Sequence, residues 1–385
     1  MITIREYQKI FAADCPCFDE LSKFTEAGDF LSLGWQRNGG AYVQAKNYVG
    51  VIRLPSGYQI EILPKVHACD DDANLRGLVV KMLRSLDEFA GKKFLNAELD
   101  TANLNLYEIF ARVYLEMVLE LVKRGLKSSY VVREDNLKFF KGKLLIRENL
   151  RRNVAHREKF FVAFDEYSFD RPEHRLIKST LLKLLRGTHD RKNFRLATRL
   201  LADFDSVSPS VNYNNDFAAL SRDKQNRDYK IVMAWTKIFL SDKSFTAFAG
   251  KSDALALLFP MERLFEAYVA RYVRKIFSDR FTVKTQVAEK FLFDTPRRFA
   301  LKPDIILAGD ETIILDTKWK FQPSAGDMYQ MFAYAKRYAA KKIFLLCPRN
   351  IDENISYRLN DGLDVTVFYV DLLDIDASLK KIFDD

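Results

Sequence analysis

Two hydrophobic periods run along the chain. Up to about residue 68 the apolar positions form short β-prone runs, Tyr42-Val43-Gln44-Ala45 and Tyr48-Val49-Gly50-Val51-Ile52. Tyr58, Ile60 and Ile62 then alternate with Gln59, Glu61 and Leu63, between the turn Pro55-Ser56-Gly57 and Pro64. A period of two predicts a half-buried strand there. From about Asp72 the period lengthens, and Leu75, Leu78, Val79, Met82 and Leu83 have helical spacing. Tyr107, Phe110, Ala111, Tyr114, Leu115, Val118 and Leu121 form one stripe, which predicts a long helix over about 104–126 closed near Gly125. Tyr130 to Ile146 reads as extended, and helices are predicted again over 175–185 and 218–240.

Toward the C-terminus the pattern becomes that of an α/β unit. A helix is predicted over 260–269. Phe299 to Leu307 reads as a strand, Ala308-Gly309-Asp310-Glu311 as a turn and Thr312 to Lys320 as a second strand, so the pair forms a hairpin. A helix opening at Asp327, a natural N-cap, and a buried strand over 341–348 follow. The fold expected is mixed α+β. A β-rich N-terminal region (1–100) precedes a mainly helical middle with a basic β-ribbon (101–250) and an α/β domain (255–385).

Composition narrows the function. Of 385 residues 48% are hydrophobic and 29% charged, which excludes a disordered or fibrous chain. The net charge is +9, from 61 Lys and Arg against 52 Asp and Glu, and leaves a polyanionic partner open. No apolar run approaches the ~20 residues a spanning helix needs. The N-terminus lacks the basic-then-apolar pattern of a secretion signal, so no membrane partner and a cytoplasmic location are expected. Four cysteines make no disulfide framework. Cys15-Pro16-Cys17 is too tight for zinc and Cys69, near His67, has no second pair, so reduced thiols are expected. The four histidines are scattered, with no His-x-x-x-His pair and no Ser-His-Asp arrangement, which argues against a zinc hydrolase or a triad enzyme. No Gly-x-x-x-x-Gly-Lys loop occurs, so the chain is expected to bind no nucleotide itself.

The candidate chemistry lies in the predicted hairpin. Asp304 opens one strand and Asp316 ends the other, which makes them near neighbours in an antiparallel pair. Asp316 and Lys318 are two apart and share a face. Two carboxylates and a lysine on one sheet face suit a metal-dependent phosphodiesterase: hard oxygens hold Mg²⁺, with Mn²⁺ as a substitute. The metal activates water, and the lysine positions or deprotonates that water or neutralises the phosphate. Glu262 and Glu266 share a helix face and offer a further ligand, Glu266 being favoured. Gln330 and Tyr334 share a face of the next helix, placed to touch the nucleic-acid backbone or Lys318. Lys138, Lys141, Lys143, Arg151 and Arg152, interleaved with phenylalanines, read either as a phosphate-contacting surface or as the solvated face of a β-ribbon.

Pro303-Asp304 with Asp316-Thr317-Lys318 resembles the PD-(D/E)xK nuclease superfamily. Asp316-Thr317-Lys318-Trp319-Lys320 followed by Asp327-Met328-Tyr329-Gln330-Met331-Phe332-Ala333-Tyr334-Ala335 is similar to the McrC family, the nuclease subunit of McrBC-type modification-dependent restriction systems. Gly50-Val51-Ile52, Ile60-Glu61-Ile62-Leu63-Pro64-Lys65, Gly142-Lys143-Leu144 and Phe164-Asp165-Glu166…Asp170…His174-Arg175-Leu176-Ile177-Lys178 extend the likeness over about 45–350, with His174 where the family usually has Asn. The resemblance implies a Mg²⁺-dependent endonuclease subunit. It implies catalytic Asp304, Asp316 and Lys318, a separate AAA+ partner of the McrB type that hydrolyses GTP or ATP, and double-stranded, modified DNA as substrate. A regulatory subunit on a silent nuclease fold and a stand-alone repair nuclease are the competing readings.

Overall fold

The structure, a computed structural model, describes residues 1–27, 29–66, 69, 71–86, 104–220, 229–240, 255–349, 353–360 and 362–383. The chain folds as two units, Met1–Phe110 together with Ser241–Asp385, and Ala111–Leu240. The architecture is mixed α/β.

In the first unit, a four-stranded sheet has the order Ile2–Arg5, Gln59–Leu63, Tyr48–Arg53, Leu255–Pro260. The first pair is parallel and the other two antiparallel. Residues from 1–100 and from 255–385 therefore contribute strands to one sheet. The closeness of that pairing depends on Gly50, at φ +137°, where a Cβ would fall 1.9 Å from the Leu257 carbonyl oxygen. The N-terminal stretch also builds a three-stranded sheet of Lys9–Phe11, Gly40–Ala45 and Leu31–Gln36.

The strand predicted as half-buried is buried throughout from Gln59 to Leu63. Period-two alternation assigns Gln59 and Glu61 to solvent, but both find partners inside. Arg76 Nε and Nη2 donate to Glu61 at 3.0 and 2.8 Å, Leu106 N at 2.7 Å and Thr3 Oγ1 at 3.0 Å. Asn105 Nδ2 donates to Gln59 at 3.2 Å. A buried carboxylate with four donors and a guanidinium partner escapes the desolvation penalty that would otherwise exclude it.

The C-terminal stretch carries a six-stranded sheet in the order Thr282–Thr285, Ile305–Ala308, Thr312–Thr317, Lys342–Pro348, Asp364–Val370, Ile355–Arg358. The hairpin pairs Ile305 with Leu315 and Leu307 with Ile313, as the sequence predicts. Its first strand is shorter than predicted, because Arg297–Leu301 pairs with Lys290–Asp294 in a separate ribbon. Thr312–Thr317 and Lys342–Pro348 are parallel, joined through the helix Ala325–Tyr338. That helix lays Met331, Tyr334 and Ala335 on Ile314, Ile343, Leu345 and Val367. Burying Met331 alone contributes about 1.5–3 kcal/mol. Its N-cap is Ser324, with Asp327 at the third position completing a capping box, so Asp327 is not itself the cap. The helix predicted over 260–269 runs further, Met261–Phe277.

In the second unit, Ser129–Leu137, Phe160–Ser168 and Lys143–Leu144 form a three-stranded ribbon. The stretch read as extended to Ile146 turns at 138–142 and enters the helix Ile146–Arg152. The helix predicted over 218–240 is two helices, Tyr213–Leu220 and Lys230–Leu240, and residues 221–228 lie outside the described residues. Arg191–Asp203 is a helix the sequence reading missed. Phe194, Ala197, Leu200 and Leu201 stand at helical spacing there, so the signal was present in the sequence.

Candidate active site

The hairpin register places Asp304, one residue before Ile305, across from Asp316, one residue after Leu315. Asp304 is oriented by the opposite strand. Thr317 donates to its Oδ2 twice, from the backbone N–H at 2.8 Å and from Oγ1 at 2.7 Å. Asp316 is 1% exposed. Lys318 Nζ stands 2.8 Å from Asp316 Oδ2. Oδ2 is a buried oxygen whose charge the Lys318 ammonium compensates. Three of the residues expected from the sequence thus meet at the carboxyl end of the strand Thr312–Thr317, where open α/β sheets place their ligands.

Glu266 reaches the group from the helix Met261–Phe277. Its link to Asp304 is Gln286, which sequence reasoning missed. Gln286 Nε2 donates to Glu266 Oε1 and, at 3.2 Å, to Asp304 Oδ1. Its backbone N–H donates to the Asp304 carbonyl at 3.0 Å, and it holds a left-handed φ of +55°. No motif marks Gln286, which sits just past the strand Thr282–Thr285 and gains its meaning from the pairing of that strand with Ile305–Ala308. Glu262, the alternative ligand, is exposed, and its charge adds to the rise of the Glu6 pKa.

The electrostatics follow from crowding three carboxylates. Burial first, and then the charge of Asp304, push the Glu266 carboxyl up to about 7. The same two causes push Asp316 up to about 6, against the pull of Lys318. Burial works against the Lys318 ammonium, but Asp316 and Asp304 outweigh it and its pKa rises. Such shifts concentrate where carboxylates are gathered for a function.

Gln330 and Tyr334 lie beside this group, differently from the sequence expectation. Tyr334 is buried, and its hydroxyl donates to the Lys302 carbonyl at 3.1 Å while accepting from Gln330 Nε2 at 2.7 Å. Its polar atom is spent inside the protein, which leaves it no free face for a DNA contact. It anchors Gln330 instead. Lys320 pairs with Asp327 at 2.6 Å, tying the strand end to the next helix.

The fit to a divalent cation rests on the chemistry of the donors. Among the described residues no three His, Cys, Asp or Glu side chains close into a ready metal cage. The Gln286 amide bridges Glu266 and Asp304, and the Lys318 ammonium compensates Asp316. The donor set itself is right: hard carboxylate oxygens from three side chains, one of them buried beside a single ammonium, with excess negative charge that a cation would relieve.

The basic segment belongs to the second unit. Lys141 Nζ lies 4.1 Å above the Phe164 ring and the Arg152 guanidinium 4.6 Å above Phe161. Arg151 and Arg152 each approach Glu148 at 3.5 Å. Lys143, Arg147, Arg151 and Arg152, with Glu134 and Phe161, line an open cavity of about 710 Å³. Lys138 is exposed. Three of the four cysteines are buried thiols, and Cys17 is half-buried with its Sγ 3.5 Å from Cys15 Sγ; His67 lies outside the described residues. No helix among the described residues is long and apolar enough to cross a membrane.

A family model described as McrBC 5-methylcytosine restriction system component matches residues 43–348. Two solved structures from Thermococcus gammatolerans are similar. One is the half-complex from a tetradecameric assembly of McrB AAA+ hexamers with bound McrC. A chain in it matches with a TM-score of 0.73 at 18% identity, over 99% of this chain and 100% of that one. The other is the cryo-EM structure of the McrBC complex, with a TM-score of 0.51 at 21% identity, over 72% of this chain and 88% of that one. At these identities the likeness shows a shared fold. No curated protein matches the sequence.

Proposed function

The chain belongs to the McrBC family of 5-methylcytosine restriction-system components, and from that premise we propose that it is the DNA-cutting subunit, a Mg²⁺-dependent endonuclease of the PD-(D/E)xK type. The observation that carries this reading is the convergence of Asp304, Asp316, Glu266 and Lys318 at one strand end, three carboxylates beside one ammonium.

Asp304, Asp316 and Glu266 would hold the metal, and Mn²⁺ suits the same oxygens. A bound metal supplies an activated water and charge stabilisation on the phosphate. The chain's own residues do the rest. Thr317 fixes the orientation of Asp304. Lys318, already an ammonium beside Asp316, neutralises negative charge that develops on the phosphate. Gln330, held by Tyr334 on the helix Ala325–Tyr338, would contact the DNA backbone.

The partner belongs to the same proposal. The T. gammatolerans chain of like fold is described with McrB AAA+ hexamers. This sequence has no phosphate-binding loop, so an AAA+ motor of that type supplies nucleotide hydrolysis, which this subunit stimulates, and modified double-stranded DNA is the substrate. The basic ribbon of the second unit offers phosphate contacts. A location in the cytoplasm, where such DNA is met, completes the reading.

The test is plasmid cleavage with Mg²⁺, wild type beside Asp316→Ala, each alone and with the AAA+ partner and nucleotide, on methylated and unmethylated DNA. Cutting that needs partner, nucleotide and methylation, and is lost in the variant, is the expected result. Cutting by the lone chain makes it a stand-alone nuclease. No cutting with hydrolysis still stimulated makes it a regulatory subunit.

A further inference from the structure

We propose that Gln286 is a positioning residue of the metal site: its side-chain amide gathers Glu266 and Asp304 into one ligand pair before the cation arrives. The inference rests on the nuclease reading and extends it to a residue outside the Pro-Asp…Asp-x-Lys pattern.

Three observations carry it. First, Glu266 and Asp304 come from different elements, a helix and the start of a strand, so their meeting is not a local matter. Gln286 Nε2 donates to both, to Glu266 Oε1 and to Asp304 Oδ1 at 3.2 Å. An amide nitrogen carries two N–H groups, and here each has a carboxylate. Second, the remaining Asp304 oxygen is already committed to Thr317, so Gln286 binds the oxygen left free to turn toward a ligand. Third, the backbone is set to deliver the side chain. Gln286 sits at φ +55°, a region that L-residues other than Asn, Asp and His rarely adopt. Its N–H donates to the Asp304 carbonyl at 3.0 Å. The same residue therefore grips Asp304 by main chain and by side chain. Left-handed backbone outside glycine persists where surrounding structure over-determines it, and such positions cluster at functional sites.

Gly at this position would ease the backbone and Ala would not, while both delete the amide. That separates a turn residue from a positioning residue. Full-length wild type, Gln286→Ala, Gln286→Gly and Asp304→Ala are titrated calorimetrically with MnCl₂ alone, with no DNA and no partner. Their melting temperatures without metal are recorded alongside. The expected result is weaker Mn²⁺ binding in both Gln286 variants, by about 10-fold or more, the usual loss when a residue that orients metal ligands is removed. The Gly variant should melt no lower than the Ala variant. In cleavage assays kcat should fall with KM for DNA unchanged. Wild-type Mn²⁺ affinity in both Gln286 variants overturns the proposal. So does weakening in Ala with recovery in Gly, which would assign Gln286 to the turn. If wild type and Asp304→Ala bind Mn²⁺ alike, the metal site itself is wrong and the inference falls with it.

Discussion

The indole Nε1 of Trp319 donates to both carboxylate oxygens of Glu6, at 3.0 and 3.2 Å, across 313 positions of sequence. Both side chains are buried, and Lys65 N donates a third hydrogen bond to the carboxylate at 3.1 Å. Trp319 directly follows Lys318, and its ring meets Phe265, the neighbour of Glu266, at 5.4 Å between centroids. A residue at the edge of the N-terminal sheet thus braces the chain on both sides of the candidate site. Trp319→Phe keeps an aromatic ring and removes the donor. It should destabilise the protein by about 1–3 kcal/mol, the cost of a buried acceptor losing its partner, measured by urea unfolding. An unchanged midpoint would show that water takes the place of the indole.

Glu6 also makes stability depend on pH. Burial, with Glu262 adding to it, raises its carboxyl from 4.5 to about 8 against the pull of the Lys65 and Trp319 hydrogen bonds. A raised folded-state pKa contributes stability that is full below about 4.5 and is lost as pH climbs through 8. Glu266, at about 7, and Asp316, at about 6, act with the same sign. Unfolding free energy of the metal-free protein should therefore fall between about pH 5 and pH 8. Glu6→Gln should make that fall shallower. Identical slopes for the two proteins would remove Glu6 as a contributor.

Cation binding should reverse this trend. Glu266 and Asp316 must lose their protons to ligate, so apparent affinity rises as pH climbs through about 6 and about 7. The upward shift in melting temperature on adding Mg²⁺ should be larger at about pH 8 than at about pH 6. Glu266→Gln should shrink the shift at the higher pH. A shift independent of pH would place the cation away from these carboxylates.

Asp304→Ala, Asp316→Ala and Lys318→Ala should each lower cleavage by about 100-fold or more, the scale of removing one charge-stabilising group. The three should differ in stability. Asp304→Ala leaves the Thr317 N–H and hydroxyl without their acceptor and should cost about 1–3 kcal/mol. Asp316→Ala removes a buried carboxylate repelled by Asp304 and should cost less. Cleavage at the wild-type rate by any one of them excludes that residue from the site.

On the ribbon, Lys141→Ala with Lys143→Ala should weaken DNA binding. The slope of log affinity against log salt should become shallower by about 0.9 for each phosphate that the variant no longer neutralises. Binding isotherms across a salt series read this directly. An unchanged slope would mean that Lys141 serves the Phe164 ring and that Lys143 is a solvated cation.

Much of the site was legible because its signals are local. Asp304 and Asp316 are opposed by a short hairpin, whose pairing follows from the short turn between two apolar runs. Asp316 and Lys318 share a face through the two-residue period of a strand. The stripe from Tyr107 to Leu121 predicts the helix Leu106–Lys123 in the same way, through a period that neighbouring residues carry.

Local order along the chain was enough to specify which segments fold as helix or strand where the apolar period is strong, which hairpin opposes the two aspartates, and that no nucleotide-binding loop is present. Meetings between distant segments arose on folding. Gln286 came to Glu266 and Asp304, Glu6 to Trp319, and Leu255–Pro260 to the N-terminal sheet. Glu61, which alternation assigned to solvent, was buried, and Tyr334 was turned inward. Periodicity reports which face of an element is apolar. Whether a polar side chain can be buried depends on donors that arrive from elsewhere in the chain, and no local pattern carries them.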